Sequence, residues 1–107
     1  MKKIIALLAT CLTIGAAHAA ILATMPNNSG GRIELTDVPV PASVQRQMSN
    51  CRNTYIAKSW ADGTNDIYGC YRFIDDTVVI EWPGTERTYS VHAFTRTAAG
   101  DALVNSQ

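Results

Sequence analysis

Residues 67–93 read IYGCYRFIDDTVVIEWPGTERTYSVHA, three runs of β-branched and aromatic residues divided by two polar breaks. Asp75-Asp76 makes the first break, and Pro83, Gly84, Thr85 and Glu86 make the second; both are rich in residues that favour tight turns. The pattern predicts an antiparallel meander. A two-residue loop at Asp75-Asp76 sets Ile74 opposite Thr77, Phe73 opposite Val78 and Tyr71 opposite Ile80. Gly69 then lies opposite Trp82, whose ring is placed to cover the missing side chain. A four-residue loop at 83–86 sets Trp82 opposite Arg87, Ile80 opposite Tyr89 and Val78 opposite Val91. Both registers gather the large apolar residues on one face, as a half-buried sheet requires. A slip of one residue would carry Arg72, Val79 and Glu81 into the core.

Working outward, 54–60 reads as a further strand, joined to 67–74 through the turn cluster Ala61-Asp62-Gly63-Thr64-Asn65-Asp66. Centring that hairpin near Gly63-Thr64 pairs Cys70 with Tyr55 or Ala57 and puts Tyr55, Ala57, Ser59, Tyr68, Cys70 and Arg72 on the polar face. Arg72 lies diagonal to Glu81 there, placed to pair with it for less than about 1 kcal/mol. Residues 32–36 alternate as a short strand with Ile33 and Leu35 on one side. Two prolines in 37–41 exclude a central strand. Residues 42–50 follow a helical period through Val44 and Met48, with Ser43 as the cap. Residues 21–26 form an apolar lead-in to the turn-rich 27–31, and the small, polar segment 97–107 is expected to be a flexible tail. The predicted fold is α+β: a small twisted antiparallel meander of three to five strands with one short helix and one disulfide, in a single domain over 20–96.

The N-terminus reads as an address. Met1-Lys2-Lys3 is followed by an apolar run over 4–17 and the small-x-small triplet Ala17-His18-Ala19, which predicts a signal peptide cleaved after Ala19. The run is shorter than the ~20 residues of a spanning helix and no basic stop follows it, so no stable membrane span is expected after cleavage. Leu8-Ala9-Thr10-Cys11 departs from a lipobox at Thr10, and the apolar run continues past Cys11. The expected location is periplasmic or secreted. Cleavage removes Lys2, Lys3, Cys11 and His18, so a chain of formal charge +0 becomes mildly acidic. That balance excludes the basic excess of a nucleic-acid binder, and 107 residues exclude a multidomain enzyme.

Cys51 and Cys70 remain, and in an oxidising space they are expected to pair. Closing a loop of about twenty residues contributes roughly 3 kcal/mol by restricting the unfolded chain. Two cysteines with one histidine give no zinc spacing, and no Cys-x-x-Cys supports redox chemistry. No metal and no cofactor is expected.

Catalytic readings are weak. His92 has no nucleophile-elbow pattern with it. Asp75-Asp76 suits a turn better than a pair of glycosidase acids with Glu81. Asp62, Asn65 and Asp66 lack the regular spacing and distal glutamate of a calcium loop. Asn27-Asn28-Ser29-Gly30-Gly31-Arg32 lacks the lysine-serine end of a phosphate loop, yet Gly30, Gly31 and Arg32 make a plausible exposed contact tip. Tyr55, Tyr68 and Arg72 suggest an exposed aromatic and basic patch on the polar face.

The run Ala23-Thr24-Met25-Pro26-Asn27-Asn28-Ser29-Gly30-Gly31-Arg32-Ile33-Glu34-Leu35-Thr36-Asp37 resembles the start of a group of short exported proteobacterial and prophage proteins. Gly69-Cys70-Tyr71, Val79-Ile80-Glu81-Trp82 and Tyr89-Ser90-Val91-His92-Ala93-Phe94 are similar to its later blocks. The resemblance implies no activity and no site residue. Members of that group often carry another cysteine where this chain has Val40. The expected function is non-catalytic binding of a protein or cell-envelope component, as an inhibitor or prophage exclusion factor would do. The alternatives are an accessory structural subunit of an envelope or secretion assembly and, less favoured, a small hydrolase.

Overall fold

The hairpin at Asp75-Asp76 forms as its sequence predicts. Asp75 takes the left-handed backbone (φ 53), which aspartate tolerates through its short polar side chain. Phe73 pairs with Val78 and Tyr71 with Ile80. The computed structural model describes residues 19–105, so the predicted signal peptide lies, apart from Ala19, outside the described residues.

Seven strands build one antiparallel sheet, more than the three to five expected: β1 (Ile21–Pro26), β2 (Arg32–Pro39), β3 (Tyr55–Trp60), β4 (Ile67–Ile74), β5 (Thr77–Trp82), β6 (Thr85–Ser90) and the short β7 (Thr95–Arg96). Their order is β6-β5-β4-β3-β2-β1-β7. Residues 91–94 therefore link strands at opposite edges, although that length of chain spans only about 18 Å when extended. The sheet meets this constraint by curling into a half-barrel, in the sense its natural twist allows.

The core lies on the concave side. Ile33, Leu35, Ala57, Tyr71, Val78, Ile80 and Trp82 are buried there, with Met25, Tyr89, Val91 and Phe94 packed against them. A smaller cluster sits on the convex side, where Cys51 and Cys70 are bonded and fully buried with Val40. The bridge holds α1 (Ala42–Gln47) and the 3-10 turn Ser49–Cys51 onto the sheet through Val44, Met48 and Ile56. The expected Cys51–Cys70 pairing thus acts as a clip between the helical segment and the sheet.

Several expectations change. The second loop contains Pro83 and Gly84 alone, because Gly84 supplies the positive φ (+82) that a two-residue hairpin needs. Ile80 thus faces Arg87, and Val78 faces Tyr89. The shift is two residues, so every side chain keeps its face. The β3–β4 register is different by one: Cys70 pairs with Ile56 and Tyr55 with Tyr71. Tyr55, Ala57 and Ser59 accordingly face the concave side, where buried Ala57 leaves room against Gly69. Arg72 reaches Glu86 (3.2 Å), while Glu81 accepts from the Asn50 amide (3.3 Å).

Residues 21–26 form β1 and not a bare lead-in, since β2 on one side and β7 on the other satisfy their backbone. Strand β2 runs on to Pro39 despite its proline; the ladder to β3 is irregular between Leu35 and Pro39, where a missing N–H is tolerated. The helix at 42 stops at Gln47 because Met48 is extended, and Pro41 occupies the cap position in place of Ser43. Residues 98–105, expected within a flexible tail, form α2 (Ala98–Asn105). The Thr97 hydroxyl accepts from Gly100 N–H (3.1 Å) and caps it, and Gly100 packs so closely on Leu22 that a Cβ would stand 2.1 Å from its carbonyl oxygen.

Candidate functional site

The β1–β2, β3–β4 and β5–β6 hairpins turn at the same end of the half-barrel, opposite the Asp75-Asp76 turn, and a cleft of about 500 Å³ opens at that end. Its walls follow from register. Residues Ser59 and Ile67 are paired across β3 and β4, Trp82 and Thr85 across β5 and β6, and all face the concave side. Arg87 and Tyr89 continue that face along β6. Met25, Ile33 and the β1–β2 turn close the cleft opposite them.

Asn27 builds that turn. Its side-chain amide donates to the Ser59 hydroxyl (3.1 Å) and the Trp60 carbonyl (2.9 Å), tying the turn to β3. Its side-chain oxygen accepts from Ser29 and Gly31 N–H, each at 2.9 Å. Trp82 is held by the van der Waals seat at Gly69 and by its indole N–H, which donates to the Tyr89 hydroxyl (3.3 Å). Arg87 is the charged side chain of the cleft lining, and no ion pair joins it to an acid among the described residues.

A second cavity of about 530 Å³ lies near Asp37, Tyr55, Tyr71, Phe73 and Leu103. Tyr55 and Phe73 are half exposed there and flank the buried Tyr71 ring at 6.5 and 5.7 Å between centroids. The Tyr71 hydroxyl donates to the Thr36 carbonyl (2.7 Å). Burial foremost, then the negative charge of Asp37 and the neighbouring Tyr55, pushes its pKa up to about 12. The folded state therefore keeps a proton that the unfolded chain releases near pH 10, so stability falls as pH rises from 10 through about 12. Tyr71→Phe is expected to cost about 1 kcal/mol at neutral pH and to flatten that alkaline loss, read from urea midpoints at several pH values.

The six residues singled out from sequence are not brought together. Gly30 and Gly31 belong to the β1–β2 turn and Arg32 opens β2; Gly31 is pressed against the Trp60 carbonyl, where a Cβ would stand 1.7 Å away. Tyr55 faces the concave side beside Tyr71. Tyr68 and Arg72 share the convex face of β4, yet four residues of strand put them about 13 Å apart. Arg72 already uses one nitrogen on Glu86, and its Nη1 is buried without a hydrogen-bond partner. His92 sits exposed on the 3-10 turn Val91–Ala93, its backbone N–H donating to the Ser90 hydroxyl. The sequence singles out neither Met25 nor Arg87 as a site residue, and Asn27 enters only within the run 27–32 weighed as a phosphate loop. An arginine opposite Trp82 or Ile80 on an apolar face was the available signal for one of them.

Among the described residues no group of three His, Cys, Asp or Glu side chains is arranged to hold a metal ion, and no helix is long and apolar enough to cross a membrane. No protein-family model, curated protein or solved structure matches the chain.

Proposed function

We propose that the chain is an exported, non-catalytic binding protein that takes part of a protein or cell-envelope component into the open cleft of its half-barrel. One observation carries this reading: a preformed concave surface of about 500 Å³ whose apolar wall of Met25, Ile33, Ile67 and Trp82 is joined by the charged Arg87. Apolar walls with a few placed polar groups are the usual composition of binding sites. The buried Cys51–Cys70 bridge supports residence in an oxidising compartment. The tightly held β1–β2 turn supports recognition by a rigid surface, which limits the ordering cost of binding.

Ile67→Glu tests the reading, because Ile67 lines the cleft while half exposed and so contributes little to the core. Immobilised protein is incubated with a detergent-solubilised envelope fraction, and retained components are identified by mass. Ile67→Glu should reduce specific retention about tenfold or more while thermal unfolding is unchanged, and Tyr68→Ala on the convex face should retain as the wild type does. Loss with Tyr68→Ala and not with Ile67→Glu would move the site to the convex face. Conversion of a retained component to a new mass would replace binding with catalysis.

A further inference from the structure

The cleft coincides with a gap in the hydrogen-bonded ladder. Strand β6 is an edge, paired with β5 alone. On the facing edge, β7 covers Ala23 and Thr24 of β1 and goes no further, leaving Met25 and Pro26 paired only to β2. Residues from both uncovered segments, Thr85, Arg87 and Tyr89 on one side and Met25 and Pro26 on the other, line the same cleft. Strand β6 thus offers outward-directed backbone donors and acceptors next to an apolar wall, the combination that takes up an extended peptide as an added strand.

Charge narrows the occupant. Arg87 lies on the cleft side of β6 with no ion-pair partner among the described residues. A second copy of this chain offering its own β6 would present Thr85, Arg87 and Tyr89 on that face, a set without an acid. The acid of β6, Glu86, points to the convex side and is paired with Arg72. The neighbouring wall of Met25, Ile33 and Trp82 favours apolar side chains on the inward positions beside the acid.

We propose that the seam between β6 and the end of β1 binds an extended segment of a partner protein, which adds as a strand along β6 and places an Asp or Glu side chain on Arg87. This rests on the cleft being the binding site and specifies what fills it. Strand addition supplies affinity through the main chain, and the alternating inward side chains supply selectivity.

The probe is a phage-displayed library of random linear peptides panned on the oxidised protein. Selected peptides should carry an acidic residue flanked by apolar residues at alternate positions. N-methylation of alternate backbone nitrogens should weaken a synthetic copy about tenfold or more in one phase of the alternation and leave it unchanged in the other, the signature of an edge-strand ladder. Arg87→Glu should abolish binding of the acidic peptides and select basic ones, with unfolding unaltered at so exposed a position. Peptides that ignore both N-methylation and Arg87→Glu, or a panning that enriches none, would overturn strand addition. The envelope-retention assay with Ile67→Glu judges the cleft separately, so either can fail alone. A dimer of the unliganded protein in sedimentation, abolished by Arg87→Glu, would give the seam to a second copy and overturn the partner assignment.

Discussion

Paired replacement of the bridge, Cys51→Ala with Cys70→Ala, is expected to lower the free energy of unfolding by about 3 kcal/mol. The bond closes a separation of 19 residues, and its removal returns that loop entropy to the unfolded chain. The loss should be local before it is global. Helix α1 has six residues and no side-chain cap, too short to persist without the surface it covers. Its contacts run through Val44 and Met48 to the bridge itself. Amide exchange over 44–51 should therefore accelerate in the variant while the strands β4 and β5 retain protection. Urea midpoints with and without reductant check the energetic part: the wild type should fall to the level of the double variant, which should ignore reductant. A wild-type midpoint indifferent to reductant would deny the bridge any role in stability.

Gly31→Ala should be at least as damaging, at a cost on the order of 4 kcal/mol, while Gly30→Ala next to it should cost about 1 kcal/mol. The two glycines are needed for unrelated reasons. Gly30 holds φ +82 in open space, so an alanine there meets backbone strain alone. At Gly31 a Cβ would stand 1.7 Å from the Trp60 oxygen and 2.7 Å from Ala61 Cα, both backbone atoms that no side-chain rotation can move. Relief requires the β1–β2 turn to lift from β3, which breaks the bonds from Asn27 to Ser59 and Trp60. Since the same turn walls the cleft, retention of envelope components should fall together with the thermal midpoint. Equal, small effects at the two positions would show that the turn does not seat on β3.

The contrast explains how far the site was legible. Gly30-Gly31-Arg32 stood out as an exposed tip, but sequence carries no mark of a carbonyl approaching from residues 29 positions later. The sequence pattern sets Tyr55 and Tyr68 on one face because the six-residue turn at 61–66 leaves its centre ambiguous, and a shift of one residue reverses every side chain on the strand. The β5–β6 loop is two residues shorter than the run 83–86 suggests, a difference that preserves faces, so the core on that hairpin matches the sequence expectation. Arg87 was in view on the apolar face throughout. What it lines is decided by the distance between β6 and β1, segments about sixty residues apart in the chain.

Local chemistry was sufficient for the Asp75-Asp76 hairpin, the apolar face of β4 and β5, and the partnership of Cys51 with Cys70, because each depends on residues close together or on the absence of any other choice. Closure lay beyond it. That residues 91–94 must bridge the two sheet edges, that 98–105 gains a surface to fold against, and that a seam stays open beside Arg87 all follow from long-range packing. Short-range preferences choose strands and turns within a few residues; only the joint requirement of burying one concave face and joining both edges with so short a link sets the curvature, and with it the cleft.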